Sequence, residues 1–152
     1  MSQERQELLS RSALGVFRLN GQFLGVAEEL AGPAELTAAW WQVLGAVLGE
    51  PLPVSGIARE MGITRQSVQR IADLLVERGL AEYRPNPAHR RAKLLAPTER
   101  GLAAVRRIDP GHAAFADRLA EAFGEAELAE VVGMLERLSK VLGQLSTGGG
   151  RT

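Results

Sequence analysis

Residues Pro51–Leu80 read PLPVSGIAREMGITRQSVQRIADLLVERGL. Apolar residues on both sides of Met61-Gly62-Ile63 fall at helical spacing, and the glycine marks a tight turn between two short helices. The second helix has the better-marked start. Thr64 suits the N-cap, its hydroxyl oxygen accepting from the backbone N–H of Gln66 or Ser67 and satisfying a donor that a helix start leaves free. The expected core stripe is Val68, Ile71, Leu74 and Leu75 with the stem of Arg78, and Gly79 is expected just past the helix end. With Ile71 turned inward, Gln66, Gln69 and Asp73 lie roughly opposite and Arg70 flanks them. Such an amide-rich and guanidinium-rich outward face is either plain solvated surface or a reading surface.

The residues after Leu80 favour a reading surface. The pattern changes there, and Ala81–Arg84 and Ala92–Ala96 are placed as two strands around the loop RPNPAHRRAK, Arg84 to Lys93. Alanine and lysine are poor strand formers, which weighs against the pair. Pro85 and Pro87 stiffen the hairpin tip by fixing φ, while Arg84 and Lys93 flank it and Arg90 and Arg91 extend from it. Helix, tight turn, capped helix and hairpin together form a winged helix-turn-helix pattern, in which the second helix enters the major groove of DNA. Glutamine and arginine can each make two hydrogen bonds to a base edge, so Arg65, Gln66, Gln69 and Arg70 are the expected groove contacts. Thr64 and Ser67, at the positive end of the helix, are expected nearer phosphates.

Outward from this segment the chain reads as helix. Leu8, Leu9, Val16, Phe17, Leu19, Phe23, Leu24 and Leu30 recur at mostly helical spacing up to Gly32-Pro33, predicting a long first helix over 2–31. A second helix is expected from about Pro33 to Leu48, with Trp41, Leu44 and Leu48 on one side, Gly45 leaving room for close approach, and Leu36, Trp40, Val43 and Val47 on another. From Pro97-Thr98-Glu99 a further helix begins, which Asp109-Pro110-Gly111 is expected to kink or interrupt. A last helix from about Gly124 carries Leu128, Val131, Leu135, Leu138, Leu142 and Leu145, before the flexible tail STGGGRT. The expected fold is mainly α with a small β-hairpin wing, a winged helix-turn-helix lobe over 34–101 with helical arms over 1–31 and 102–146, all one domain over 1–146, and a tail at 147–152. Neither arm can bury its apolar stripe on so small a lobe, so a helical layer shared between two copies is expected; folding back onto the lobe is the alternative.

Charge and composition narrow the function classes. The 152 residues carry no cysteine, which excludes disulfides, thiolate nucleophiles and cysteine-based metal or redox sensing. No apolar run is long enough to span a membrane and no signal-peptide core is present, so a cytoplasmic protein without a membrane partner is expected. The net charge is zero, yet residues 51–100 hold nine cations against five anions, leaving nine against 13 elsewhere. A basic middle between acidic ends fits a chain whose middle alone meets a polyanion. His89 and His112 lie on different elements, and no glycine-rich phosphate loop opens a helix. No enzyme, cofactor or metal is expected. A winged helix that serves protein interaction without specific DNA binding is the alternative reading.

The segment IAREMGITRQSVQRIADLLVERGLAEYRPNPAHRRAKLLAPTERG, Ile57–Gly101, resembles the DNA-binding lobe of the MarR family of bacterial transcription regulators, and the resemblance extends to LTAAWWQVLGAVL, Leu36–Leu48. It implies a homodimer on pseudo-palindromic double-stranded DNA, usually a repressor and often relieved by a small aromatic or amphipathic ligand. The family wing commonly carries Asp-x-Arg and then Leu-Thr-x-x-Gly. Here Arg91 falls on the arginine that typically enters the minor groove, His89 replaces the aspartate, and Pro97 replaces the leucine. Arg91 thus loses the carboxylate that orients it in relatives, whereas a protonated His89 would add a phosphate contact; an exposed neutral imidazole is the competing reading. The resemblance also places the second helix beside the usual effector cavity. Trp40 is the candidate ligand contact, with Arg18 and Asn20 as polar partners from the first helix; simple packing is the alternative for Trp40, and core the expectation for Trp41.

Overall fold

The computed structural model describes residues 2–147. In chain order it holds α1 (Ser2–Ala31), a 3₁₀ turn (Gly32–Ala34), α2 (Ala38–Ala46), β1 (Leu52–Pro53), α3 (Val54–Met61), α4 (Arg65–Glu77), β2 (Ala81–Arg84), β3 (Leu94–Pro97), α5 (Glu99–Phe123) and α6 (Glu125–Thr147). It is a mainly helical fold with a small antiparallel wing.

The chain divides into two compact units, one up to Pro110 and one from Gly111 on. In the first, α2, α3, α4, β3 and the start of α5 enclose a single apolar core centred on Leu44, Ile57, Leu75, Leu95 and Ile108. No polar or charged residue among those described is buried there. α4 contributes Val68, Ile71, Ala72 and Leu75. Leu74, expected in that stripe, is 38% exposed instead. At roughly 100° per residue the buried set centres between Ile71 and Ala72, which turns Leu74 roughly 110° away.

α2 starts later than its sequence suggests. Pro33 lies in the 3₁₀ turn, and the helix is capped by Thr37, whose hydroxyl accepts from the Trp40 N–H at 3.1 Å. The Ala38 N–H donates to Glu28 of α1 at 3.1 Å, fixing where one helix hands over to the next. α2 also ends at Ala46, so Leu48 is exposed, and a side chain at Gly45 would meet nothing within 4 Å. The buried side is Val43, Leu44 and Val47; Trp40 and Trp41 pack half-buried against the core.

The wing has three strands, ordered β1-β3-β2 and all antiparallel. Tyr83 faces Leu95 and Arg84 faces Leu94 across β2 and β3, while Leu52 and Pro53 pair with Leu95 and Leu94 on the other edge. β1 is two residues long and ends in proline, which leaves no periodicity to read. β3 begins at Leu94 instead of Ala92, because the Ala92 N–H is drawn into a turn with the His89 carbonyl at 3.3 Å.

The junction of α4, β2 and α5 is tight. Gly79 has φ 73°, and Leu80 N–H reaches back to the Leu75 carbonyl at 2.9 Å, closing α4. Thr98 caps α5: its N–H donates to the Leu80 carbonyl at 3.1 Å, its hydroxyl donates to the Gly79 carbonyl at 2.6 Å and accepts from the Gly101 N–H at 3.2 Å. Gly101 is buried, and a Cβ there would lie 2.0 Å from the Leu80 carbonyl oxygen.

α5 passes through Pro110 without interruption. Asp109, Pro110 and Gly111 are all exposed, so water can satisfy the carbonyl that the proline leaves without a donor. In the second unit Gly124, at φ 109°, separates α5 from α6. Leu128 and Val131 of α6 are half-buried, whereas Leu135, Leu138, Leu142 and Leu145 are exposed. Ser146 and Thr147, placed by their sequence at the start of a tail, belong to α6, and the remainder of that stretch lies outside the described residues. In α1, Leu8, Leu9, Phe17 and Phe23 are exposed as well.

Gly101→Ala is expected to destabilise the lobe by about 2–3 kcal/mol, since either Thr98 or Leu80 must move to admit the methyl. A urea midpoint unchanged from wild type would show that the junction tolerates the added atom.

Candidate nucleic-acid interface

Gly62, at φ 68°, ends α3 with the Ile63 N–H bonded to the Ala58 carbonyl at 3.2 Å, and this sharp turn presents the start of α4. The Thr64 hydroxyl accepts from the Ser67 N–H at 3.1 Å and donates to the Ser67 hydroxyl at 2.9 Å. Of the two donors open to Thr64, Ser67 is the one used. Arg65, Gln66, Gln69 and Arg70 all stand exposed.

Between α4 and the wing lies an open groove of about 510 Å³, lined by Arg65, Gln66 and Gln69 from α4, Tyr83 from β2, Arg91, Ala92 and Lys93 from the wing, and Pro53, Val54 and Ser55 at the start of α3. Three cations and no carboxylate line it. Arg91 and Lys93, more than 20 residues after Arg65 and Gln66, are thus brought to the same concavity. Among the described residues the Arg91 side chain has neither hydrogen bond nor ion pair, as the loss of the neighbouring carboxylate at His89 leads one to expect.

One network ties the wing to α4. The Tyr83 hydroxyl donates to Asp73 Oδ1 at 2.5 Å, and Gln69 Nε2 donates both to Asp73 Oδ1 and to the Tyr83 hydroxyl oxygen, each at 2.9 Å. Both N–H bonds of the Gln69 amide are therefore engaged, and only its carbonyl oxygen remains to meet anything in the groove. Burial and the Asp73 carboxylate push the Tyr83 hydroxyl up from 10.0 to about 12. The Gln69–Asp73 pair at i, i+4 is readable from sequence as a helix-surface hydrogen bond. That Tyr83 completes it is not, because its place depends on the register of the wing.

The wing and the region around Trp40 hold the other expected contacts. Arg84 is paired with Glu82, Nη2 and Nε each 2.9 Å from Oε1. The Asn86 side chain accepts from the Ala88 N–H at 3.0 Å and its carbonyl accepts from the His89 N–H at 3.2 Å, so the wing tip is a built turn. His89 and Arg90 are exposed on it. Trp40 lines a separate small pocket with Arg78, Arg100 and Arg107, whereas Arg18 and Asn20 are exposed on α1 and do not line that pocket. Among the described residues no group of three or more His, Cys, Asp or Glu could hold a metal ion, and no helix is long and apolar enough to cross a membrane.

These features define a winged helix-turn-helix protein with a basic groove beside its second helix. The MarR family model matches residues 34–92, and the chain belongs to the MarR family, whose members are DNA-binding transcription regulators and not enzymes. An uncharacterized protein of Mycobacterium tuberculosis is 38% identical over 130 residues, covering 86% of this chain and 91% of that one. Among solved structures, the transcriptional repressor CouR bound to a 23-mer DNA duplex is 27% identical, with a TM-score of 0.72 over 82% of this chain and 89% of the other. CouR of Rhodococcus jostii bound to p-coumaroyl-CoA is 26% identical, with a TM-score of 0.68 over 81% and 87%. Wild-type MarR of E. coli, 20% identical with a TM-score of 0.69 over 83% and 95%, shares the fold.

Tyr83 is the only tyrosine in the chain, so its ionisation can be followed alone by tyrosinate absorbance. Its raised value means that the stability contributed by its proton is complete below pH 10 and is lost as pH rises toward about 12. Tyrosinate is expected to form near pH 12 in wild type and closer to 10 in Asp73→Asn. Coincident titrations for the two chains would show that Asp73 does not hold the hydroxyl.

Proposed function

We propose that the chain is a homodimeric, ligand-responsive repressor acting in the cytoplasm on double-stranded DNA, with α4 in the major groove and the wing on the adjoining backbone and minor groove. The observation that carries this reading is the groove in which α4 and the wing converge Arg65, Gln66, Gln69, Arg91 and Lys93 with no carboxylate in the lining. Arg65, Gln66, Gln69 and Arg70 face base edges; Thr64 and Ser67 at the helix start, and Arg90, Lys93 and His89 on the wing, face phosphates. Arg84 joins them by exchanging Glu82 for a phosphate. Arg91, with no partner among the described residues, enters the minor groove.

Gln69 has a narrower role than its residue type allows. Bidentate reading of adenine needs one amide N–H and the carbonyl together, and both N–H bonds point inward. Its remaining oxygen accepts from an exocyclic amine, that of cytosine or adenine.

The arms support a dimer by what they leave uncovered: Phe17 is 72% exposed and Leu145 69% in the single chain. Apolar stripes of this kind are stable in water when a second copy covers them. CouR, a repressor of similar fold that binds both DNA and p-coumaroyl-CoA, supports a repressor that answers to a small aromatic molecule, with Trp40 beside a pocket here.

Selection from a random duplex pool is expected to return two inverted half-sites with centres roughly 10 base pairs apart. Within each, one position should be restricted to cytosine or adenine in wild type and relaxed in Tyr83→Phe, which releases Gln69. Lys93→Ala should lower the slope of log affinity against log salt by about 0.9. No enriched site, or binding insensitive to salt, would favour a protein-interaction module instead. Light scattering is expected to give twice the 16.3 kDa chain mass, and a monomer at working concentration would exclude the shared helical layer.

A further inference from the structure

The pocket beside Trp40 gathers three cations. Arg100 and Arg107 lie two turns apart on α5 with Ala103 and Ala104 as a small-residue floor between them, and Arg78 reaches in from the end of α4. The Arg78 guanidinium lies over the Trp40 ring, 5.5 Å from its centroid, which fixes one fork and leaves its N–H bonds pointing along the ring plane. None of the three arginines has an ion pair or side-chain hydrogen bond among the described residues. Arg100 is held close to the backbone, its Nη1 only 3.0 Å from where a Cβ on Gly79 would stand. The rim is closed by Glu35, the only non-glycine residue with positive φ among those described (φ 59°), and this carboxylate also lacks an ion pair. A left-handed backbone at a side-chain-bearing residue is strained, and such strain gathers at binding sites.

We propose that this pocket binds the phosphate group of a small phosphorylated molecule. Three guanidiniums less one carboxylate leave a formal charge of +2, which a phosphate monoester dianion balances. Its three terminal oxygens also match three planar forks, whereas a carboxylate brings one charge and two oxygens and leaves one arginine unmatched. At about 190 Å³ the pocket admits an anionic head with a small adjoining group and not a whole drug-sized ligand. Bound there, the dianion ties together the 3₁₀ turn, the end of α4 and the start of α5. That it acts as an effector rests on the DNA-binding reading above; the binding itself does not.

The site is tested without DNA, so failure of either reading leaves the other standing. Inorganic phosphate, phenyl phosphate and benzoate are titrated into the full chain at constant ionic strength, read by calorimetry and, in Trp41→Phe, by fluorescence of the remaining Trp40. Saturable binding of phenyl phosphate is expected, weakened about tenfold or more by Arg100→Ala and by Arg107→Ala, with the milder Arg107→Lys losing part of that because it keeps charge but not the fork. Inorganic phosphate binding as tightly as phenyl phosphate assigns all recognition to the anion; weaker binding assigns part to the attached ring, and both agree with the site. Benzoate binding as tightly as phenyl phosphate overturns the phosphate assignment. Absence of saturation, or affinity unchanged in the arginine variants while circular dichroism shows them folded, overturns the site.

Discussion

The close approach of α5 to the end of α4, made possible by the missing side chain at Gly101, governs much of the lobe. With a Cβ position only 2.0 Å from the Leu80 carbonyl, no other residue fits there without displacement. Thr98 then makes three hydrogen bonds across the junction, to Gly79, Leu80 and Gly101. Because β3 runs directly into Thr98 and β2 leaves directly from Leu80, both strands of the wing are anchored at this point. The angle at which the wing leaves α4 is therefore set by backbone contact instead of by flexible side chains. The Thr-x-x-Gly spacing is kept here even though Pro97 stands where leucine is common in the family, since the geometry needs the hydroxyl and the absent Cβ and asks little of the residue before them.

At the opposite side of the wing a polar network does the corresponding work. An aspartate on the outward face of α4 is at odds with a surface that meets phosphates, and Asp73 is tolerable there because Tyr83 and Gln69 both donate to it. The arrangement also restricts Gln69. A side chain with two donors and an acceptor becomes an acceptor alone, so a long and mobile residue acquires a fixed orientation before any ligand arrives. The groove thereby presents rigid and unbound groups side by side: Gln69 constrained from below, and Arg91 on the wing with no partner among the described residues.

The local codes are legible in sequence and the non-local ones are not. Thr64 as N-cap, Gly62 at the turn and Gly79 past the end of α4 follow from one-dimensional rules of hydrogen-bond supply and positive φ, and the structure agrees with all three. The start of α2 is misplaced by those rules because Pro33 satisfies them for a first turn, while the deciding contacts, Thr37 with Trp40 and Ala38 with Glu28, depend on how α1 and α2 meet. Leu74 is misassigned by the same limit. Helical spacing gives a stripe but not its rotation, and Ala72, too small to draw notice, marks where the core lies. β1 and the Tyr83 network exist only once the sheet register is known. The groove is thus legible as a set of residue types, and its actual chemistry, especially which donors are already engaged, is not.

α4 connects two basic regions that differ in kind. Its first turn brings Arg65 and Gln66 to the open groove, and its C-cap, Arg78, lines the small pocket with Arg100 and Arg107. A helix of 13 residues spans roughly 20 Å, so the two sites are separate, yet one rigid element belongs to both. Its inner face is pinned by Val68, Ile71 and Leu75, which allows small rotations about the core more readily than sliding. A charge clamped at the C-terminal end would bear on the orientation of the N-terminal end through that lever, with the Thr98–Gly101 junction beside the clamp as the fulcrum. The chain's overall neutrality conceals this arrangement. The excess of cations between residues 51 and 100 is divided between a groove open enough for a polymer and a pocket sized for a single anionic group.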